Sequence, residues 1–569
     1  MRLKFVSAVA AVVGAAVVAV PAGAAPDLFG QTVEYSVLAR VGATESALEQ
    51  AVVAAGGTVT RGNAATGLLT VTAPENGFTE RLSTAPDVQF ASRTVPIGHS
   101  PVDPAATDRD AVEKEARAGR HGQVGSRPAP VAMDPMDGRL WGLTSIRADQ
   151  ARTVQPGDSR VRVGVLDTGV DGTHPDIAPN FDEELSRNFT RDMPVDDNGN
   201  TFDGPCEFEG CVDPVNWDDG GHGTHVAGTI AAAANGFGIS GVAPQVSIVN
   251  IRAGQDSGTF FLQPVVDALT YAGDAGLDVV NMSFYVDPWL YNCQANPADS
   301  PEQQAQQRTI VTAMIRALDY AHRNGVTQVV ALSNQHEDSG HPQVDTSSPN
   351  FPAGSAHSRD IDNDSCLLLP LEGPHTIGVA AYGPSGKKAD YSSYGLEQIS
   401  VSAPGGYLRD YFGTSQFNTN TNAILSAYPR NVGVAEGMID GTTGEITNAG
   451  VRAGVQKACD DNGCGYYQYL QGTSMAAPHA AGVAALIVSE YGTYTGDDVT
   501  MRPDDVQRIM EDTAAARPCP EPRTVEYKNE GRDDSYTATC EGDTEFNGFY
   551  GNGNVDALAA VTDGAKYLG

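Results

Sequence analysis

Val161-Arg162-Val163-Gly164-Val165-Leu166-Asp167-Thr168-Gly169-Val170-Asp171 is an apolar run that breaks at an acid followed by Thr-Gly. A short aliphatic run bounded by turn residues predicts a strand buried on both faces, with Asp167 at its carboxyl end. The same texture recurs at residues 246–252, 279–284, 326–332, 376–381 and 399–403, with helical stretches at 224–234, 263–275, 304–323 and 475–490 between them. Strands alternating with helices predict an α/β fold, a parallel β-sheet flanked by helices on both faces. Functional groups in such sheets gather at the carboxyl ends of the strands, where Asp167 and Asn334 both stand.

Upstream, residues 32–98 read as strand, helix, strand pair, short helix and strand. That βαββαβ order predicts a small ferredoxin-like α+β unit. Residues 99–138 are rich in Pro, Gly, Ala and charge without periodicity, and read as an exposed linker. At the start, Arg2 and Lys4 precede an apolar stretch over 5–20 and the small residues Pro21-Ala22-Gly23-Ala24-Ala25. This is the pattern of a secretory signal. The stretch is short and Ala/Gly-rich against the ~20 residues of a membrane span, so no stable membrane anchor is expected.

The 569 residues include 71 acidic and 36 basic side chains, for a net charge of −35. Phosphate binding needs basic patches, so this balance excludes nucleic acid as a main partner. The eight cysteines of a secreted chain predict disulfides. Cys206/Cys211 and Cys459/Cys464 would staple their own loops, and of the other four Cys293 is expected to pair with Cys366 and Cys519 with Cys540. No Cys-x-x-Cys occurs, which argues against a thiolate metal site.

Three segments carry chemistry: the stretch around Asp167; Gly221-His222-Gly223-Thr224-His225; and Gly472-Thr473-Ser474-Met475-Ala476-Ala477-Pro478. A serine hydroxyl is a poor nucleophile until a base takes its proton. Histidine titrates near neutrality, and a buried carboxylate fixes its tautomer. The three segments supply an acid at a strand end, a histidine at a helix start and a serine at a helix start. His225, His174 and His479 read as structural neighbours. His336-Glu337 and His341 mimic a zinc motif, but the histidines are five apart and Ser339-Gly340 and Pro342 break any helix.

These motifs, in the order Asp, His, Ser, resemble those of the subtilisin-like serine peptidases, the subtilase family, over roughly residues 138–560. The resemblance implies that Asp167 orients the base, that His222 is base and then acid, that Ser474 attacks the scissile carbonyl, and that Asn334 with the Ser474 N–H holds the oxyanion. It aligns Asn281-Met282-Ser283-Phe284-Tyr285 with the family's substrate-lining strand, so Ser283, Phe284 and Tyr285 are substrate-binding candidates. It implies a secreted, monomeric endopeptidase acting on polypeptides, with no catalytic cofactor. The implied division is a signal at 1–25, an inhibitory propeptide at 26–98, a linker with the processing site at 99–138 and the catalytic domain at 139–569. The propeptide would act as an intramolecular inhibitor of the chain that carries it.

The sequence departs from the family at Ser333, where glycine is usual, and at the bulky Phe284-Tyr285, which could narrow the cleft. It also departs between Pro404 and Ser474, where a long insertion could wall the site. Asp176 and Asn235 match positions that ligate Ca²⁺ in some members, which suggests a structural ion. Asp196-Asp197-Asn198-Gly199-Asn200 reads as a solvated turn. The alternative function is a catalytically silent subtilase fold used for binding, or one kept closed by its prosegment.

Overall fold

The structure, a computed structural model, describes residues 32–94, 109–122, 134–195, 201–350, 354–461 and 463–568. The signal-like start and the turn at 196–200 lie outside these residues. Among the described residues no helix is long and apolar enough to cross a membrane.

A seven-stranded sheet organises the larger part of the chain. Its strands lie in the order Val401–Pro404, Thr376–Tyr382, Thr327–Ala331, Val279–Met282, Arg162–Leu166, Ser247–Arg252 and Arg187–Asn188, and every pair is parallel. The five predicted strand runs and the opening stretch all fall in this sheet.

Period-two alternation explains why each run is mostly apolar on consecutive residues. Val163, Val165, Val279 and Val329 face one apolar core; Val280, Met282, Val330 and Leu332 face the other. The first core is closed by the helix Thr473–Tyr491, which is apolar on all sides and buried almost along its full length. The second is closed by Leu262–Asp274 and Pro301–Arg323. The latter helix starts at a capping box in which Ser300 and Gln303 bond reciprocally, with Pro301 at the first helical position.

Residues 32–93 form a separate antiparallel sheet in the order Thr58–Asn63, Leu68–Pro74, Thr32–Ala39, Val88–Arg93, with helices Glu45–Ala54 and Phe78–Leu82. This unit rests on the two helices of the second core. Asn63 donates to Asp267 at 2.8 Å and to Thr270 at 2.7 Å, and Arg316 reaches the carbonyls of Ala39 and Thr66 at 3.0 and 2.7 Å. Leu38 and Leu68 are fully buried in the larger domain's own apolar cluster.

The long insertion holds a three-stranded antiparallel sheet, Ile424–Ala427, Gly463–Leu470 and Gln456–Asp460. Four disulfides join Cys206 to Cys211, Cys293 to Cys366, Cys459 to Cys464 and Cys519 to Cys540, the partners expected from the sequence.

The exposed-linker reading fails at residues 109–122. A helix, Arg109–Lys114, runs into a 3₁₀ turn, Glu115–Ala118, and the segment packs against the insertion. Ala116 is fully buried. Arg117 pairs with Glu436 at 2.8 Å, and Arg120 exchanges backbone hydrogen bonds with Asn418 and Asn420 at 2.8 and 3.0 Å. Composition marked this segment as solvent-loving, yet its charges meet complementary charges far along the chain.

Candidate active site

Asp167 follows the strand Arg162–Leu166, which lies next to the central strand of the sheet, and is fully buried. Its Oδ1 lies 2.7 Å from His222 Nδ1 and also accepts from the Thr168 N–H at 2.8 Å. His222 opens the helix His222–Ala231. The approach of the two elements requires glycine at position 223: a Cβ there would meet the Gly169 carbonyl oxygen at 2.1 Å and the Asp167 Cβ at 3.0 Å. Asp218, a buried acid absent from the motif reading, ties the preceding loop together. It accepts from the N–H groups of Gly220, Gly221 and Thr224 at 3.0, 2.8 and 3.0 Å and from the Thr168 hydroxyl at 3.1 Å.

Ser474 lies in the first turn of its helix. Pro478, four residues on, has no N–H to give the Ser474 carbonyl. That carbonyl instead accepts from the Ser283 hydroxyl at 3.3 Å, while Ser474 Oγ lies 3.4 Å from the Ser283 carbonyl oxygen. The proline thus frees an acceptor that ties the serine to the strand Asn281-Met282-Ser283. Asn334 is fixed by Thr473, whose N–H and hydroxyl both donate to Asn334 Oδ1 at 2.9 Å. This leaves the amide nitrogen as the end facing the space above Gly472, where a Cβ would meet it at 3.4 Å. Ser333 adopts φ +93°, which explains why glycine suits this position.

The site also holds a carboxylate that the motifs did not announce. Ser474 Oγ donates to Glu113 Oε1 at 2.7 Å, and Glu113 Oε2 lies 3.5 Å from His222 Nε2. His222 Nε2 has no hydrogen-bond partner among the described residues, so serine and histidine meet through Glu113 rather than directly. Glu113 is 3% exposed, and its Cγ stands 3.1 Å from the Cβ position above Gly472, beside the Asn334 amide. Its backbone carbonyl accepts from the Gln471 N–H at 3.2 Å.

Burial disfavours charge on His222, but Asp167 and Glu113 together outweigh it and hold the imidazole well above its usual range. His225 and His479 carry no such partners. Burial pushes them down to about 3 and about 4, and their ring nitrogens bond the carbonyls of Ile424 and Met475. His174 likewise bonds the Tyr466 carbonyl at 3.0 Å.

The substrate-strand candidates separate. Ser283 touches Ser474. Phe284 turns inward and stacks on Phe260, with centroids 4.1 Å apart and planes 5° apart, so it does not narrow the cleft. It is apolar and finds an apolar partner beneath the strand. Tyr285 is half-buried, its hydroxyl 3.2 Å from Asn350 Nδ2.

At the candidate calcium position, Asp176 Oδ2 accepts from Ile239 N–H and the Tyr467 hydroxyl at 2.9 and 2.8 Å, while its Oδ1 is buried without a partner. Burial pushes Asp176 up to about 7. Asn235 Oδ1 already accepts from the Phe237 N–H at 2.9 Å. The two side chains therefore offer one free oxygen against the six to eight a Ca²⁺ takes, and as a pair they do not fit the ion.

The sequence model of the subtilase family matches residues 158–553. Subtilisin DY of Bacillus licheniformis is 27% identical over 362 residues, which cover 64% of this chain and 89% of that protein. Fervidolysin of Fervidobacterium pennivorans is 29% identical over 401 residues, 67% of this chain and 41% of that protein. Among solved structures, the epidermin leader peptide processing serine protease of Staphylococcus aureus superposes with a TM-score of 0.59 at 18% identity, covering 94% of this chain and 98% of that one. Fervidolysin superposes at 0.55 with 22% identity, covering 95% and 62%. The structural likenesses speak for the fold, and the sequence match, which spans most of the chain, speaks for the family. An acid, a histidine and a serine carried on the subtilisin sheet, within a match of this extent, make this chain a member of the subtilase family of serine peptidases.

Proposed function

We propose that this chain is the precursor of a secreted serine endopeptidase that works through Asp167, His222 and Ser474 and is held inactive until residues 109–122 leave. The observation that carries the reading is that one carboxylate, that of Glu113, contacts Ser474 Oγ at 2.7 Å and faces His222 Nε2 at 3.5 Å. A single side chain can touch both only if both line one cleft. Withdrawal of Glu113 leaves the serine hydroxyl and the imidazole facing the same space.

The chemistry then follows from the groups present. Ser474 Oγ attacks the scissile carbonyl carbon as its proton passes to His222 Nε2, and Asp167 stabilises the imidazolium. The developing oxyanion receives the Asn334 amide and the Ser474 N–H. His222 returns the proton to the leaving amine, and water repeats the sequence on the acyl-enzyme. The small domain at 32–93 and the segment at 109–122 would act as the intramolecular inhibitor, with self-cleavage between them and residue 139 releasing the mature enzyme. A structural Ca²⁺ forms no part of the proposal, since Asp176 and Asn235 together offer it one free oxygen.

The closed arrangement also favours the second reading, a fold kept silent by its own segment. Covalent labelling by a serine-directed fluorophosphonate separates the two. Labelling of the matured chain, absent in Ser474→Ala, is expected. Failure to label any form would leave the silent reading. N-terminal sequencing tests self-processing, since an identical mature start in Ser474→Ala would defeat it.

A further inference from the structure

Two residues past Glu113, the carboxylate of Glu115 lies between two arginines from distant parts of the catalytic domain. Arg409 Nη2 bonds Glu115 Oε1, and Arg532 Nη2 bonds Oε2 at 2.9 Å. Gln471 Nε2 completes the set, donating to Glu115 Oε2 at 3.0 Å and to the Val112 carbonyl at 3.3 Å. Gln471 stands three residues before Ser474. The acid-holding group is therefore part of the wall on which the nucleophile sits.

The arginines are held from behind. Asp390, fully buried, accepts from Arg532 Nε and lies 3.8 Å from Arg409 Nε. Arg409 Nη1 donates to the Glu530 carbonyl at 2.9 Å, and the Arg532 guanidinium stands 4.7 Å from the centre of the Tyr536 ring. Both side chains keep an exposed edge, at 22% and 15%. Two fixed guanidinium forks share one buried carboxylate, which Lys388 also faces, with the exposed Asp533 beside Arg532, and the Nη edges of both forks are left for a further acid. In a chain of net charge −35, such a place is a binding feature rather than general surface. In the precursor, Glu115 is that further acid.

We propose that Arg409 and Arg532 form an acid-binding subsite of the cleft, which takes a glutamate or aspartate side chain of the polypeptide substrate once residues 109–122 have left. This rests on the peptidase reading above. Glu113 and Glu115 are two residues apart in a helical stretch, and so closer together than the roughly 7 Å that two residues of an extended substrate span. The favoured acid therefore lies within about three residues of the scissile bond.

The test uses the matured product of the full chain and a neutral peptide with one cleaved bond. Glu, and separately Gln, is placed at each position around that bond. The expected result is a Glu:Gln ratio in kcat/KM of about tenfold at one position, falling to near one in Arg409→Gln or Arg532→Gln. The ratio is internal to each preparation, so partial misfolding of a variant does not move it. As a second measurement that needs no variant enzyme, a synthetic peptide of residues 109–122 should inhibit about tenfold more strongly than the same peptide with Glu115→Gln. Cleavage of the neutral peptide with no Glu:Gln ratio above threefold would overturn the subsite and leave the peptidase standing. So would a ratio unchanged in both variants, or equal inhibition by the two peptides. Cleavage of no peptide at all would overturn the peptidase reading and the subsite with it.

Discussion

Glu113→Gln in the full chain keeps the shape of the side chain and an oxygen for the Ser474 hydroxyl, but removes the charge facing His222. At 3.5 Å and an effective dielectric of about 20, the attraction between that carboxylate and an imidazolium is about 5 kcal/mol. Desolvation of both groups opposes it, and net values for hydrogen bonds to charged groups run at about 1.5–3 kcal/mol. One factor of ten corresponds to about 1.4 kcal/mol, so the open population of the precursor should rise about 10- to 150-fold. The remaining anchors, Glu115 on Arg409 and Arg532 and Arg117 on Glu436, are the same in both proteins, so the comparison isolates a single contact. The assay is the second-order rate of fluorophosphonate labelling of Ser474, read by intact mass on the unprocessed species alone. If neither Glu113→Gln nor Glu113→Ala labels more than twice as fast as the wild type, Glu113 is not the lock and the reasoning fails.

The same contact sets a pH dependence. The His222 pKa is raised in the closed form, so closure is fully stabilised below the open-form value and loses that support as pH rises through the raised value. The labelling advantage of Glu113→Gln over wild type should therefore shrink as pH rises above neutrality; a growing advantage would contradict the sign. Asn334→Ala in the mature enzyme should lower kcat by about 10²–10³, the loss that removal of one oxyanion donor produces in this family, with KM little changed. A loss below threefold would point to another donor. Ser333→Gly should leave stability unchanged or raise it by up to about 1.6 kcal/mol, because relief of about 1–2 kcal/mol of left-handed strain meets or exceeds about 0.4–1 kcal/mol of added unfolded-state freedom. Ser333→Val should lower the urea midpoint clearly, and equal midpoints for the two variants would remove the strain argument. Excess EDTA should leave the Tm of the full chain unchanged, because Asp176 and Asn235 do not fit Ca²⁺ as a pair; a lowered Tm would show that an ion is held.

The local code of the chain was enough for the sheet. Strand runs such as 163–166 and 329–332 carry no polar side chain because both faces are covered, and that pattern is written in consecutive residues. Asp167, His222 and Ser474 stand out in the sequence for a similar reason, since each has a glycine within two residues at a strand end or a helix start, whereas Asn334 has no such neighbour and entered through the family resemblance. Glu113 was not legible. The segment Val112-Glu113-Lys114-Glu115-Ala116-Arg117 carries the composition of a solvated linker, and what buries it lies 361 residues away at Ser474 and 294 residues away at Arg409. The inward turn of Phe284 onto Phe260 and the convergence of Arg409, Arg532 and Asp390 are of the same kind. Periodicity and turn chemistry act between near neighbours and can be read along the chain, whereas charge pairing across a cleft depends on which distant surfaces the folded chain brings face to face.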